Sequence, residues 1–278
     1  MKHTNEESAS AKVRRFCGGR EIDVKVLWNQ IREEAVRIVE REPQMASLLE
    51  DVVLNRACLG EALGTRLARK LAREDMSREE LAPLLAGLFQ DHPALVCSAA
   101  KDMIAIYERD PACDSPLQPL LFFKGFLAIC TYRVSHFLWQ SNRRDLASYF
   151  QSLASEVFAV DIHPAAKIGC GILLDHATSF VVGETAIIED DVSILHEVTL
   201  GGTGKVSGDR HPIVRSGVLI GAGAKILGRV IIGECAKIGA GSVVLADVPA
   251  HTTVAGVPAV IVGVAKEEAP ALDMDQRI

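Results

Sequence analysis

The feature that most constrains this chain is an aliphatic residue that returns every six positions throughout its second half. Short strands joined by tight turns, three to a coil, would stack each aliphatic side chain on its equivalent in the next coil. The period therefore predicts a parallel β-helix. An ordinary β-sandwich is the alternative, but its hairpins need turns such as Asn-Gly, which the sequence lacks. The residues that keep the period are Ile162, Ile168, Leu174, Val182, Ile188, Ile194, Leu200, Val214, Ile220, Ile226, Ile232, Ile238 and Val244.

The first half of the chain has a different composition and a different period. Thirteen of the 14 aromatic residues precede residue 160, whereas sixteen of the 22 glycines follow it. Leucines at steps of four, such as Leu59, Leu63, Leu67 and Leu71, form the apolar stripe of an amphipathic helix. The sequence thus predicts an α+β chain with an N-terminal α-helical domain. The predicted parts are a disordered extension (1–21), a helical oligomerisation domain (22–159), a β-helix (160–264) and a flexible C-terminal tail (265–278).

Charge and hydropathy exclude two classes of partner. The chain carries 30 Lys+Arg against 36 Asp+Glu, a net charge of −6, so the basic surface that binds a nucleic-acid backbone is missing. The most apolar run, residues 120–130, is interrupted by Lys124 and is too short to cross a membrane. The first twenty residues contain no apolar segment that could direct export, which predicts a cytoplasmic protein.

The seven cysteines support neither a disulfide framework nor a thiolate metal site. Their number is odd, they are widely scattered, and no C-x-x-C pair occurs. We expect them to be reduced and mostly buried.

Two irregularities interrupt the hexapeptide period. We place two extra residues at Phe180 and Val181, and a polar excursion runs from Thr203 to His211. Loops leave such a coil where function needs side chains away from the column. The excursion carries Arg210 and His211, which makes it a candidate binding element.

Several segments together resemble a known family, the serine O-acetyltransferases of cysteine biosynthesis, over about residues 22–264. The resemblance implies a left-handed coil, although parallel crossovers are normally right-handed. It also implies transfer of acetyl from acetyl-CoA to the hydroxyl of L-serine, giving O-acetyl-L-serine and CoA. The segments are VDIHPAAKIG (160–169), LDHAT (174–178), VVGETA (181–186), VTLGGTGK (198–205), GDRHP (208–212), IGAGAKILG (220–228) and AGVPA (255–259).

His176 is the best candidate for a general base. It occupies a turn position of its hexapeptide, and imidazole titrates near neutrality, so it can take the proton of an attacking alcohol. Asp161 lies almost one coil earlier and could accept the second ring N–H of His176. The resemblance implies these same roles. For His163 and His196 we favour a local role in satisfying turn backbone groups, with His196 stacked one coil above His176.

The three turn histidines also raise the question of a metal site. His163, His176 and His196 do not have a familiar ligand spacing, so we predict no metal.

An amino-acid substrate must be held by both of its charges. The guanidinium of Arg210 offers a bidentate fork for a carboxylate, and His211 can assist it. Asp175 and Asp110 could bind the ammonium group, and the resemblance assigns both to the amino-acid site. Glu184 also matches a family active-site position. L-cysteine, which has sulfur in place of the serine oxygen, is expected to compete for these contacts and inhibit.

The acetyl-CoA residues are predicted from small side chains and from the resemblance. Gly201 and Gly202 allow a ligand to approach the backbone closely. The family places a basic residue after GVPA, but Val260 stands there, so we assign the cofactor phosphates to Lys237 or Lys266. The predicted cofactor-binding residues are Gly202, Thr203, Ala222, Lys237 and Ala240.

The resemblance further implies assembly into trimers with active sites between neighbours, two trimers being joined through their helical domains. It also implies that the terminal Ile278 docks into O-acetylserine sulfhydrylase. Two other functions stay open at this point. One is a related enzyme that acetylates a sugar or antibiotic hydroxyl, and the other is a noncatalytic scaffold that docks a partner through its tail.

Overall fold

The computed structural model describes residues 22–204 and 207–278, so the predicted N-terminal extension (1–21) lies outside the described residues. The part that follows is helical up to Phe158. None of the helices in the described ranges is long and apolar enough to cross a membrane. The helices are α1 (Val24–Arg41), α2 (Ala46–Leu49), α3 (Leu59–Leu71), α4 (Arg78–Asp91), α5 (Pro93–Arg109), α6 (Leu117–Phe122), α7 (Lys124–Gln140) and α8 (Arg144–Phe158), with a 3₁₀ turn (Pro43–Met45) and a π-helical turn (Glu50–Leu54).

Local sequence explains where several of these helices begin and end. The Asp23 side chain accepts hydrogen bonds from the backbone N–H groups of Lys25 and Val26 at the start of α1. Ser77 and Glu80 form a reciprocal capping box at the start of α4. Ala159 adopts a left-handed conformation after α8 and turns the chain into the first strand.

Fifteen strands follow in the described part of the chain, and the first thirteen are short and parallel to their neighbours, as the hexapeptide period predicts. They form three sheets, in the orders β1-β4-β7-β10-β13, β2-β5-β8-β11 and β3-β6-β9-β12-β14-β15. The strands are β1 (Val160–Ile162), β2 (Lys167–Ile168), β3 (Leu173–Leu174), β4 (Phe180–Val182), β5 (Ile187–Ile188), β6 (Ser193–Ile194), β7 (Thr199–Gly201), β8 (Ile213–Val214), β9 (Leu219–Ile220), β10 (Lys225–Leu227), β11 (Ile231–Ile232), β12 (Lys237–Ile238), β13 (Val243–Val244), β14 (Thr252–Gly256) and β15 (Ala259–Val264).

The strand register confirms the stacked aliphatic column. Val182 pairs with Leu200, eighteen residues later, and both side chains are buried. Ile162 pairs with Val182, twenty residues later, so the first coil is longer by two residues. The prediction that Phe180 and Val181 are the extra residues is wrong, because both are paired within β4. The additional length lies in the preceding turn, residues 175–179, which carries His176.

Two buried ion pairs fasten the helical part to the coil. Arg133 of α7 contacts Asp102 of α5 at 2.6 Å and donates to the carbonyl oxygen of Gly169 at 2.7 Å. Arg109 of α5 contacts Asp191 at 2.8 Å and donates to the carbonyl oxygen of Gly171 at 2.9 Å. Charges buried in this way are tolerated only when they are paired and hydrogen-bonded.

The C-terminal segment differs from the predicted flexible tail. A ninth helix, α9 (Pro270–Asp273), lies against the coil and its Ala271 is fully buried. The backbone N–H of Ala271 donates to the carbonyl oxygen of Gly217, and its carbonyl oxygen accepts from Ser193 at 2.7 Å. Ser193 also accepts from Arg109 at 3.3 Å. Burial of Ala271 and hydrogen bonds to its backbone therefore hold this segment against the coil.

Candidate functional site

The predicted site residues fall mainly at two corners of the coil. One corner, here the histidine corner, is made of the turns from the third sheet to the first, residues 175–179, 195–198, 221–224 and 239–242. The other, here the loop corner, is made of the turns from the first sheet to the second, with described residues 163–166, 183–186, 202–204, 207–212 and 228–230. The first sheet separates the two corners.

His176 projects from the histidine corner into solvent. Its backbone adopts a left-handed conformation, with φ 56°, and its side chain is 72% exposed. Residues other than glycine seldom adopt this conformation, and it is often found where function constrains the chain. The nearest carboxylate oxygen is Oδ2 of Asp175, 3.6 Å from Nε2, which is too long for a hydrogen bond. The ring is accordingly free to meet a substrate hydroxyl.

The two other turn histidines behave differently from each other. Nδ1 of His163 accepts a hydrogen bond from the backbone N–H of Ala165, the turn role that the sequence predicts. His196 stacks one coil beyond His176, with ring centroids 5.7 Å apart, as predicted. Its Nδ1 atom is nevertheless buried and has no hydrogen-bond partner within the described chain, so His196 does not satisfy a turn.

Asp175 and Asp110 face one cleft beside His176. The cleft has a volume of about 830 Å³, and residues 272–274 of the C-terminal segment form one of its walls. Burial raises the pKa of Asp175, and the nearby charge of Asp110 raises it further, although His176 opposes this shift. Two neighbouring carboxylates are a suitable environment for an ammonium group, because its positive charge is attracted to both.

Arg210 and Glu184 pair with each other at the loop corner. Nη2 of Arg210 lies 2.7 Å from Oε2 of Glu184, and this hydrogen bond lowers the pKa of the Glu184 carboxyl. His211 is buried next to them, with its Nδ1 atom 2.9 Å from the hydroxyl oxygen of Thr185. Arg210 and His211, the residues predicted to bind the substrate carboxylate, are therefore already held in place by neighbours in the same chain.

Asp161 lies on the first sheet, between the two corners. It is the middle residue of β1, and its side chain points outward because its neighbours Val160 and Ile162 are buried. Its Oδ1 atom accepts a hydrogen bond from Nε2 of Gln151 at 2.7 Å. The described hydrogen bonds join Asp161 to the helical domain, not to His176.

The structure divides the predicted acetyl-CoA residues between the two corners. Gly202 and Thr203 belong to the loop corner, whereas Ala222 and Ala240 belong to the histidine corner. A cofactor held by both sets within one chain would have to cross the first sheet.

Lys237 is not open to a phosphate, which corrects the prediction for this residue. Its side chain is only 4% exposed because the C-terminal segment covers it. Nζ donates to the carbonyl oxygen of Arg277 at 2.6 Å and lies 3.6 Å from a carboxylate oxygen of Glu267. The adjoining Ile278 packs against Gly239, where a Cβ would be 2.6 Å from its Cδ1 atom. Lys266, the other predicted phosphate ligand, is exposed.

Sequence reasoning missed three residues that order the loop corner. Thr185 hydrogen-bonds to the backbone of both Arg210 and His211. Arg229 donates to the carbonyl oxygens of Thr185 and His211 at 2.8 and 3.0 Å. A Cβ on Gly183 would stand 2.0 Å from the His211 ring, so only glycine fits. Their position beside GDRHP one coil away was a usable signal, because coil stacking places residues 183–185 next to the end of the loop.

Neither a metal site nor a disulfide is found in the described ranges. No group of three or more His, Cys, Asp or Glu in residues 22–204 and 207–278 is placed to hold a metal ion. The six cysteines in these ranges are free thiols, and Cys17 lies outside them. Cys58 and Cys97 are exposed, which differs from the expectation of mostly buried cysteines.

Comparison with known proteins gives consistent matches. Residues 27–131 match the family model of the serine acetyltransferase N-terminal domain, and residues 211–246 match the bacterial transferase hexapeptide model. Serine acetyltransferase of Salmonella typhimurium is 53% identical over 254 residues, covering 91% of this chain and 93% of that protein.

Solved structures extend these matches to three dimensions. A serine acetyltransferase in complex with cysteine has a TM-score of 0.90 at 52% identity and covers 92% of this chain and 100% of that one. The Brucella abortus enzyme with coenzyme A has a TM-score of 0.84 at 49% identity (87% and 96% covered), and the soybean enzyme with serine has 0.84 at 52% (87% and 100%). With this identity over nearly its whole length, the chain belongs to the serine acetyltransferase family.

Proposed function

We propose that this acyltransferase moves the acetyl group of acetyl-CoA to the hydroxyl of L-serine, giving O-acetyl-L-serine and CoA, with His176 as the general base. The observation that carries the proposal is an exposed imidazole on a left-handed turn, beside a cleft lined by Asp110 and Asp175. Support also comes from relatives whose structures hold coenzyme A, cysteine or serine.

The reaction needs one base and no covalent enzyme intermediate. His176 takes the proton of the serine hydroxyl as its oxygen attacks the thioester carbonyl, and the carbon–sulfur bond then breaks. The imidazolium returns the proton to the departing CoA thiolate, so the enzyme ends in its starting state. Asp161 is proposed to orient the imidazole. Oδ1 of Asp161 accepts from Gln151, which leaves Oδ2 as the acceptor for a ring N–H.

The proposal assigns one side chain set to each charge of serine. Arg210 and His211 bind the carboxylate, Glu184 holds Arg210 in place, and Asp110 and Asp175 bind the ammonium group. Cysteine presents the same two charges and is expected to compete with serine at these contacts.

Within one copy of the chain, the carboxylate-binding residues and the ammonium-binding residues lie apart. They lie at different corners, and the three-residue strand β4 between the corners spans about 10 Å. The carboxylate and ammonium of serine are carried by one carbon atom, so one molecule cannot reach both corners of the same coil. We therefore propose a trimer in which the histidine corner of one copy meets the loop corner of the next, with two trimers joined through their helical domains.

The same arrangement would reunite the acetyl-CoA residues. Gly202 and Thr203 of one copy would face Ala222 and Ala240 of the next, leaving a narrow channel for the pantetheine arm. The phosphate end is assigned to the exposed Lys266, because the C-terminal segment covers Lys237.

The C-terminal segment is also proposed to dock O-acetylserine sulfhydrylase. Ile278 is 64% exposed and the Arg277 side chain is 90% exposed, so a partner can reach both residues. Docking in a deep pocket would require Arg277 to leave Lys237. The free cysteines fit a reducing compartment, and the proposal places the enzyme in the cytoplasm.

The test is an assay of CoA release with L-serine, L-homoserine and a hexose offered separately. We expect turnover with serine and loss of turnover in His176→Asn. Turnover with the hexose alone would establish the sugar acetyltransferase alternative. A protein without turnover that binds the sulfhydrylase only when Ile278 is present would establish the scaffold alternative.

A further inference from the structure

The most densely hydrogen-bonded residue at the loop corner is one that contributes no charge. Thr185 follows Glu184 in the turn after β4, and the end of the loop, residues 209–211, folds back onto it. We infer that Thr185 is a positioning residue, which fixes the direction of Arg210 and holds His211 as the neutral tautomer with its hydrogen on Nε2. The role in catalysis rests on the proposed function, because it concerns the residues assigned to the substrate carboxylate.

The hydroxyl, the backbone N–H and the backbone carbonyl of Thr185 all form hydrogen bonds at the loop corner. Its hydroxyl oxygen accepts from the backbone N–H of Arg210 at 3.0 Å and from that of His211 at 3.2 Å. Its own N–H donates to Nδ1 of His211 at 3.1 Å. Its carbonyl oxygen accepts from Arg229, which also binds the carbonyl oxygen of His211. The backbone on both sides of the Arg210 side chain is consequently fixed.

The same contacts determine where the His211 hydrogen is. The Thr185 hydroxyl already accepts two N–H groups, so its own hydrogen must go elsewhere, and the Nδ1 atom of His211 lies 2.9 Å away. With the Thr185 N–H also directed at it, Nδ1 faces two donors and must present its lone pair. The hydrogen of the neutral ring is then on Nε2.

The surroundings of His211 favour the neutral form and leave Nε2 available. Burial lowers the pKa of His211, and the nearby charge of Arg210 lowers it further, as do those of His163 and Arg229, whereas Glu184 raises it. Nε2 lies beside Gly183 and Gly202, which have no side chains to block it. An Nε2–H donor next to the Arg210 fork suits one carboxylate.

The first experiment compares Thr185→Val, which keeps the shape but removes the hydroxyl, with Thr185→Ser, which keeps the hydroxyl. In the Thr185→Val protein we expect the KM for serine to rise about 10- to 100-fold, because two part-buried N–H donors lose their acceptor. The KM for acetyl-CoA should not change in Thr185→Val. The Thr185→Ser protein should bind the substrate serine as the wild type does. Thr65→Val, in the helical domain, is the matched control. An unchanged KM for serine in Thr185→Val, or a raised KM in Thr185→Ser, would overturn the inference.

A second measurement does not depend on turnover. Nitrogen NMR of the wild-type protein labelled with ¹⁵N-histidine, with His211→Asn used for assignment, should show His211 protonated on Nε2 and not on Nδ1 at pH 7.5. Thr185→Val keeps the backbone N–H that donates to Nδ1 and loses only the hydroxyl, so the preference should weaken in this variant, whereas Thr185→Ser should keep it in full. A wild-type His211 protonated on Nδ1 would overturn the inference. If serine is not acetylated at all, the proposed function fails, while the tautomer still decides the inference.

Discussion

The two corners of the coil are built in opposite ways. At the loop corner, Arg210 and His211 are tied to Glu184 and Thr185 by side-chain and backbone hydrogen bonds. At the histidine corner, His176 is exposed and the nearest charged atom is too far away for a hydrogen bond. One corner is complete within a single chain, whereas the other presents its reactive group outward.

The difference indicates which functions each corner suits. A group that binds a fixed charge gains affinity when its direction is set beforehand, because less freedom is lost on binding. A base that must take and return a proton needs access to the reacting atoms and a pKa near neutrality. The comparison can be tested by four changes in turn. They remove the His176 imidazole, remove the Arg210 guanidinium, fill the space beside the His211 ring, and replace His211 itself.

The largest effect is expected at the histidine corner. His176→Asn removes the base but keeps a polar side chain of similar size, so kcat/KM for serine should fall about 10²- to 10⁴-fold. The exposed position of the residue predicts an unchanged melting temperature. Activity is measured as CoA release and stability by thermal unfolding. Undiminished turnover by a folded His176→Asn protein would refute the assignment of His176 as the base.

The next effect is on substrate binding at the loop corner. Arg210→Ala should raise the KM for serine and the inhibition constant for cysteine by a similar factor, about 10- to 100-fold, because both ligands lose a charge-assisted bidentate contact. Arg215→Ala is the matched control, since Arg215 also pairs with a glutamate, Glu189, but lies at the third corner of the coil. Cysteine binding that is unaffected by the loss of Arg210 would contradict the shared site.

A smaller effect should follow from filling the space beside His211. In Gly183→Ala the added Cβ would stand 2.0 Å from the ring, so the ring and the end of the loop must move, at a cost of about 1–3 kcal/mol in unfolding free energy.

The control for this change is Gly87→Ala in α4, where nothing lies within 4 Å of the new Cβ. A helical alanine there should be neutral or stabilising by about 0.4–1 kcal/mol. Both proteins are compared by urea unfolding. Equal stability of the two variants would show that the His211 ring is not held as described.

The smallest effect is on the pH dependence of stability. Burial lowers the pKa values of His211 and His163 below the ordinary value of 6.5, so the unfolded chain binds protons more readily than the folded one. Their contribution to stability is complete above pH 6.5 and is lost as the pH falls below it. Replacing His211 by Gln should flatten the fall in unfolding free energy between about pH 6.5 and 5. An identical slope in wild type and variant would argue against a buried, neutral His211.

The sequence predicted the coil well because its core is periodic. Each aliphatic residue has one inward position, so Val182 and Leu200 could be paired by counting alone. Counting residues fails where a turn is longer than usual, because the strand that follows keeps the same apolar pattern whatever the length of the turn. Counting therefore places the extra residues at Phe180 and Val181, whereas the structure has them in the turn that carries His176.

Sequence reasoning singles out residues with distinctive side-chain chemistry, and it passes over Thr185, Gly183 and Arg229, which order the loop corner. Arg210 and His176 stand out in the sequence because a guanidinium and an imidazole at motif positions suggest particular chemistry. Thr185 and Gly183 act through a hydroxyl and an empty space, which no composition or motif rule distinguishes from ordinary turn residues. Lys237 was assigned to a phosphate because the sequence could not show that the chain end returns to cover it.

The Ser193 hydroxyl joins three parts of the protein that are far apart in sequence. It belongs to the coil, accepts from Arg109 at the end of α5 and donates to Ala271 near the C-terminus. Asp110, which lines the cleft, is the next residue after Arg109. Displacement of the C-terminal segment would therefore remove the acceptor of the Ser193 hydroxyl. The change would reach Arg109, which is joined by one peptide bond to Asp110 in the wall of the cleft.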